Sequence, residues 1–86
     1  MKKITMMYLK NCPYCKKAQA WMEELFEEHP AYRNIELERI EESEQPEIAD
    51  TLDYWYVPSY FVDGIKVHEG VATKEKIQDV FEKAMK

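Results

Sequence analysis

The stretch 3-KITMMYLKNCPYCKKAQAWMEELFEEHP-30 sets a short apolar run directly against a helical pattern, with both cysteines of the chain at the junction. Residues 3–9 are apolar and partly β-branched, the signature of a buried strand. Pro13 suits the first turn of a helix, where its missing N–H costs nothing. From there Ala18, Trp21, Met22, Leu25 and Phe26 recur at helical spacing, and Lys16, Lys17, Glu23, Glu24, Glu27 and Glu28 fill the opposite face. The helix is expected to stop before Pro30.

Working outward, "NIELERI" (34–40) spaces Ile35, Leu37 and Ile40 among acids and an arginine and reads as a second strand. "SEQPEIADTLD" (43–53) has a Ser start, an early Pro and the apolar pair Ile48 and Leu52, which predicts a helix of two to three turns. "VPSYFVDGIKVHEG" (57–70) is a hairpin: two β-rich runs meet at Asp63-Gly64, a pair that tolerates positive φ. Thr73 is placed to cap a last helix, Glu75 complements its dipole, and Ile77, Val80, Phe81 and Ala84 form its buried stripe. The element order is therefore β-α-β-α-β-β-α, an α/β domain over 1–86 with a four-stranded mixed sheet flanked by three helices. Right-handed crossover makes the first two strands parallel. The two long helices are expected to cover the sheet with one on each face. Tyr54, Trp55, Tyr56 and Tyr60 are expected to pack core and rim, the alternative being that Trp55 or Tyr56 lines a groove. The acids from Glu36 to Glu47 are expected to form a solvated face.

Composition narrows the function classes. The chain has 86 residues and a net charge of −5 from 17 acids and 12 bases, so nucleic acid, which needs a basic patch, is not an expected partner. No apolar run approaches the roughly 20 residues that span a bilayer. The amino-terminal stretch lacks a signal-peptide pattern, which predicts a cytoplasmic protein. Nothing in the sequence demands more than a monomer.

Two cysteines are too few for a disulfide framework, and a bridge across two residues closes too small a loop to stabilise much. A structural zinc site needs four ligands, and His29 and His68 match no zinc spacing, so no metal is expected. Cys-x-x-Cys beside a βαβ pattern favours redox chemistry, the alternative being two buried, inert thiols. Cys12 lies where a strand hands over to a helix, where free amides and the helix dipole stabilise an anion. A thiolate is such an anion, so Cys12 is expected to titrate below the usual ~8.5, with Lys10, Lys16 and Lys17 adding positive potential. Cys15 lies one turn into the helix on a more enclosed face. Cys12 is then the attacking thiol and Cys15 the resolving one. Pro13 stiffens the loop, and Tyr14 offers an aromatic ring beside the nucleophile.

"CPYC" after a strand, Val57-Pro58 before a hairpin and a Gly before the last helix resemble glutaredoxin, over nearly the whole chain. The resemblance implies a thioredoxin-like fold and a thiol–disulfide oxidoreductase that reduces protein disulfides or glutathione mixed disulfides. It implies a cis Pro58, with the Val57 backbone free to pair with an extended peptide. It also implies a glutathione or substrate site from Lys10, Pro13, Tyr14, Tyr56, Val57, Pro58, Gly70 and Val71. Glutathione is the expected reductant or co-substrate, with no tightly bound cofactor. Three positions depart from that family: Leu9 replaces a basic residue, Tyr56 replaces Thr, and "EGVAT" (69–73) keeps one Gly of a Gly-Gly pair and adds the charge of Glu69. "GVATKEKI" is closer to the start of the last helix in thioredoxin. The fold and the dithiol carry over best and the glutathione site least. The alternatives are a redoxin reduced by a flavoprotein disulfide reductase, a glutathione-assisted iron–sulfur carrier, and a non-catalytic binding module.

Overall fold

A short parallel pair of strands is joined edge to edge to an antiparallel hairpin, and this joining puts every site segment at one end of the sheet. The computed structural model describes all 86 residues. Strands β1 (Ile4–Tyr8), β2 (Leu37–Glu41), β3 (Ser59–Val62) and β4 (Ile65–Glu69) lie in the order β2-β1-β3-β4. Strand β1 runs parallel to β2 and antiparallel to β3, and β3 is antiparallel to β4. Helices α1 (Pro13–Glu28), α2 (Pro46–Ala49) and α3 (Lys74–Met85) complete the predicted order. The hairpin turns at Asp63 and Gly64, both at positive φ, as the Asp-Gly pair predicts.

Strand alternation divides the interior in two. Ile4 and Met6 point to one face, where they meet Ala18, Met22, Leu25 and Phe26 of α1 and Ile77, Val80, Phe81 and Ala84 of α3. Met7, Ile40 and Phe61 point to the other face, where Ile48, Ala49, Leu52, Tyr54 and Val57 cover them. The expectation of one long helix per face is therefore corrected. Both long helices pack on the same face, and the second face is left to α2 and the chain that follows it.

Two element bounds also differ. Pro30 ends α1 but begins a 3₁₀ turn over Pro30–Asn34, so the second strand starts at Leu37 rather than at residue 34. The turn buries Tyr32 and Ile35 in the core beside Phe81, which rewards the 3₁₀ path over an extended one. The helix expected over 43–53 is one turn, Pro46–Ala49, continued by the i→i+3 bonds Thr51 N–H to Ile48 (3.0 Å) and Leu52 N–H to Ala49 (3.1 Å). The Thr51 hydroxyl also donates to the Ile48 carbonyl at 2.7 Å, a local bond that competes with α-helical continuation.

Candidate active site

The carboxyl ends of β1, β2 and β4 and the amino end of β3 meet at one edge, the usual place for a site in an α/β sheet. Ser59 at the start of β3 pairs with Met7 near the end of β1 and with Glu69 at the end of β4. The loop after β1 (Leu9–Cys12), the Val57-Pro58 pair and the segment after Glu69 are thereby neighbours.

Cys12 is the N-cap of α1, with extended backbone (φ −85°, ψ 119°) and Pro13 in the first turn. Its Sγ accepts the Cys15 N–H at 3.4 Å, so a sulfur does what a Ser or Asp oxygen does at most helix starts. Any charge on that sulfur faces the positive end of a 16-residue helix. Cys15 has a different environment. It heads the buried stripe Cys15, Ala18, Met22, Leu25, Phe26, and it is fully buried while Cys12 is partly open. Trp21, predicted for that stripe, is only half-buried at its edge. Burial pushes the Cys15 thiol up to about 12, with the nearby Cys12 and Glu42 adding to the shift and the Leu9 main chain opposing it. Tyr60, also fully buried, donates its hydroxyl to Met22 Sδ at 3.1 Å, and burial with the nearby Cys15 keeps it neutral.

The Val57-Pro58 bond is cis, in keeping with the resemblance. The Val57 side chain packs onto the α2 face, while its N–H and C=O have no hydrogen-bond partner within the chain. Around this point lie Tyr14, Trp55, Tyr56 and Val71, all exposed, with Trp55 at 85% and Tyr56 at 70%. Of the four aromatics expected in core and rim, Tyr60 is buried and Tyr54 half-buried; Trp55 and Tyr56 stand in solvent. Tyr14 and Val71 meet across a pocket of about 150 Å³ with Lys17, Trp21 and Ala72. Gly70, at φ +86°, sits behind Tyr56: a side chain there would lie 3.7 Å from Tyr56 Cβ. Lys10 lies in the loop before Cys12, but its ammonium is exposed and 3.8 Å from Glu44.

Two acids that support this edge were not singled out for it in the sequence. Glu41, expected on a solvated face, is 4% exposed. It accepts the Lys10 N–H at 3.0 Å and both the N–H and hydroxyl of Ser43 at 2.6 Å. The Ser43 hydroxyl and the Lys10 amide hold its carboxyl below the usual range. With Leu9, Lys10, Asn11, Cys12 and Ser43 it lines a pocket of about 340 Å³ beside the outer thiol. The signal was topological: strands that run parallel end at the same edge, so the last residue of β2 must face the loop after β1. The second acid is Glu69, whose carboxylate accepts N–H groups of Trp55 and Tyr56 and the Lys66 ammonium.

The comparisons with known proteins agree with this fold. The model of the thioredoxin-domain family matches residues 2–82. A comparison with curated proteins found no match. Among solved structures, oxidised mitochondrial thioredoxin 3 of Saccharomyces cerevisiae superposes with a TM-score of 0.74 at 20% identity, covering 95% of this chain and 77% of the yeast chain. Oxidised thioredoxin of Plasmodium falciparum gives 0.73 at 18% identity, covering 95% and 79% of the two chains. The thioredoxin of Fasciola hepatica gives 0.71 at 17% identity, covering 96% and 80%. At these identities the likeness is one of fold, and the family match over residues 2–82 carries the assignment: the chain belongs to the thioredoxin-domain family.

Proposed function

We propose that this chain is a dithiol–disulfide oxidoreductase in which Cys12 attacks and Cys15 resolves. The observation that carries the reading is the asymmetry of the pair: an outer sulfur capping a helix, and an inner thiol buried one turn below it. The Cys12 thiolate attacks one sulfur of a substrate disulfide. That S–S bond breaks, a Cys12–substrate disulfide forms, and the first substrate thiolate leaves and takes up a proton. Cys15 then gives up its proton and attacks Cys12 Sγ, which forms the Cys12–Cys15 bond and releases the second substrate thiol. Two electrons and two protons pass from the protein dithiol to the substrate. Burial keeps Cys15 protonated until the mixed disulfide is in place, so the inner thiol does not compete for substrate.

Protein disulfides are the proposed substrates. The unpaired Val57 main chain offers hydrogen bonds to an extended segment, and Tyr14, Trp55, Tyr56 and Val71 offer apolar contact around it. A reducing compartment such as the cytoplasm suits the free thiols. For the electron donor, glutathione is one reading and a flavoprotein disulfide reductase the other. The second is favoured by Glu69, whose charge lies next to the Gly70 that the resemblance assigns to a glutathione site, and by Lys10, whose ammonium is near Glu44.

The test is insulin reduction by the wild type, Cys12→Ser and Cys15→Ser, with each donor system in turn. Cys12→Ser is expected to be inactive, and Cys15→Ser to accumulate a mixed disulfide visible by mass spectrometry. Full activity of Cys12→Ser would defeat the reading.

A further inference from the structure

The segment that brings Val57-Pro58 to the thiols has no regular structure of its own. Residues 53–57 make no backbone–backbone hydrogen bond. Its main-chain ties come from side chains. One oxygen of Glu69 accepts both the Trp55 N–H and the Tyr56 N–H, the latter at 3.0 Å. The other oxygen accepts the Lys66 ammonium at 2.7 Å. The Ser59 hydroxyl donates to the Tyr56 carbonyl. Two consecutive amides converging on one anionic oxygen form a concave main-chain nest. Such charge-assisted bonds are stronger than neutral ones. Glu69 itself is anchored, because it ends β4 and pairs with Ser59 in the sheet.

The next residue after the nest is Val57, whose N–H and C=O are unpartnered. Its side chain is seated on the α2 face, so its main chain cannot turn freely. The Trp55 and Tyr56 rings project into solvent from the same nest. Without the carboxylate every N–H from 53 to 57 would lack a partner, and those at 55 and 56 would compete with Val57 for an incoming carbonyl. With Glu69 in place, Val57 holds the one open N–H of the three residues that precede Pro58.

We propose that Glu69 is a positioning residue for this reaction: it takes up the Trp55 and Tyr56 amides so that, of the three residues before Pro58, Val57 is the one whose N–H is free for a disulfide-bearing protein segment. It acts through Val57 and touches no reacting sulfur. The role rests on the oxidoreductase reading above. The Lys66 ammonium and the two amides hold the Glu69 carboxyl down at about 2, so the latch stays charged throughout the physiological range.

The experiment compares Glu69→Ala, Glu69→Asp and Glu69→Gln with the wild type by three readouts: amide hydrogen exchange at Trp55 and Tyr56, turnover of insulin, and turnover of a small aromatic disulfide that needs no main-chain pairing. Glu69→Ala is expected to lose protection at both amides and to raise KM for insulin about tenfold, with kcat within about twofold, as befits lost hydrogen bonds in substrate alignment. Its turnover of the small disulfide is expected to match the wild type. Glu69→Gln keeps an acceptor oxygen and is expected to restore most of the protection and of the KM. Glu69→Asp keeps the charge on a shorter arm and is expected to fall between Glu69→Gln and Glu69→Ala. Unchanged exchange in Glu69→Ala overturns the latch, and an equal loss on both substrates overturns the positioning role. Wild-type protein that reduces neither disulfide overturns the underlying reading, and the exchange data then still report whether the nest depends on Glu69.

Discussion

The two faces of the sheet are built on different scales. On one, α1, α3 and the 3₁₀ turn bury a cluster of 15 residues that includes three aromatics in tilted contact, Phe26, Tyr32 and Phe81. On the other, one helical turn and an irregular segment cover a cluster of three. The cysteines divide between these regimes. Cys15 continues the α1 stripe into the thick layer, while Cys12 stands outside it at the open edge. Val57 belongs to the thin layer. The thick layer thus supplies the mount for the inner thiol, and the thin layer carries the unpaired main chain of Val57.

Truncation is the bluntest way to break this comparison. Phe81 is fully buried between Phe26 and Tyr32, so Phe81→Ala is expected to cost about 3–5 kcal/mol in urea unfolding. Leu52, half-buried in the thin layer, is expected to cost only about 1 kcal/mol as Leu52→Ala. Equal costs would mean that the thin layer contributes as much to stability as the thick one.

The thiols sharpen it next. With reduced protein and iodoacetamide, Cys12 is expected to react at least about a hundredfold faster than Cys15, whose thiol is buried and kept protonated. Two thiols alkylating at one rate would show that the inner sulfur is not part of the packed stripe. A subtler effect lies in the main chain. Residues 53–57 lack backbone partners, so native-state hydrogen exchange is expected to open 46–57 at lower free energy than β1 and β3. Exchange of both regions only through global unfolding would merge the two layers into one cooperative unit.

How far the sequence foretold these features depends on the range of the cause. The order of elements, the Asp63-Gly64 turn, the Thr73 cap and the place of Cys12 are local matters, set by residues within a few positions of one another. Thr73 does accept the Lys76 N–H at 3.2 Å. The cis Val57-Pro58 bond came from family resemblance, not from any pattern in the residues themselves. What escaped was long-range. The side of the sheet chosen by α3 depends on where β4 lies in the strand order, which periodicity does not encode. Glu41 looks like any other acid in an acidic chain and Glu69 like a charge beside a missing glycine, and their burden appears only when strand ends are brought to one edge. Trp55 and Tyr56 carry a core composition into a segment held by its amides rather than by its rings, and so they remain exposed.

The smallest effect concerns those two acids. Glu41 and Glu69 are the carboxyls held below the ordinary range, Glu41 chiefly by the Ser43 hydroxyl and Glu69 chiefly by Lys66. A carboxyl that is harder to protonate when folded than when unfolded stabilises the fold above its unfolded pKa and stops doing so as pH falls through its folded pKa. For Glu69 that window runs from the ordinary 4.5 down to about 2. Both acids grip main chain at the site edge, Lys10 and Ser43 in one case and Trp55 and Tyr56 in the other. Mild acid is therefore expected to loosen this edge while the thick layer, held chiefly by its cluster of 15 buried residues, keeps its packing. Protection of the Trp55 and Tyr56 amides is expected to fall between pH 4.5 and about 2, and that of the Lys10 and Ser43 amides to fall as pH drops below the ordinary carboxylate range, before the β1 and β3 amides respond. In Glu69→Gln the Trp55 and Tyr56 amides are expected to lose that pH dependence while Lys10 and Ser43 retain theirs. Simultaneous loss of protection in all four amides and in the strands would show that acid acts on the fold as a whole, and the separation between a rigid mount and a pliant edge would not hold at low pH.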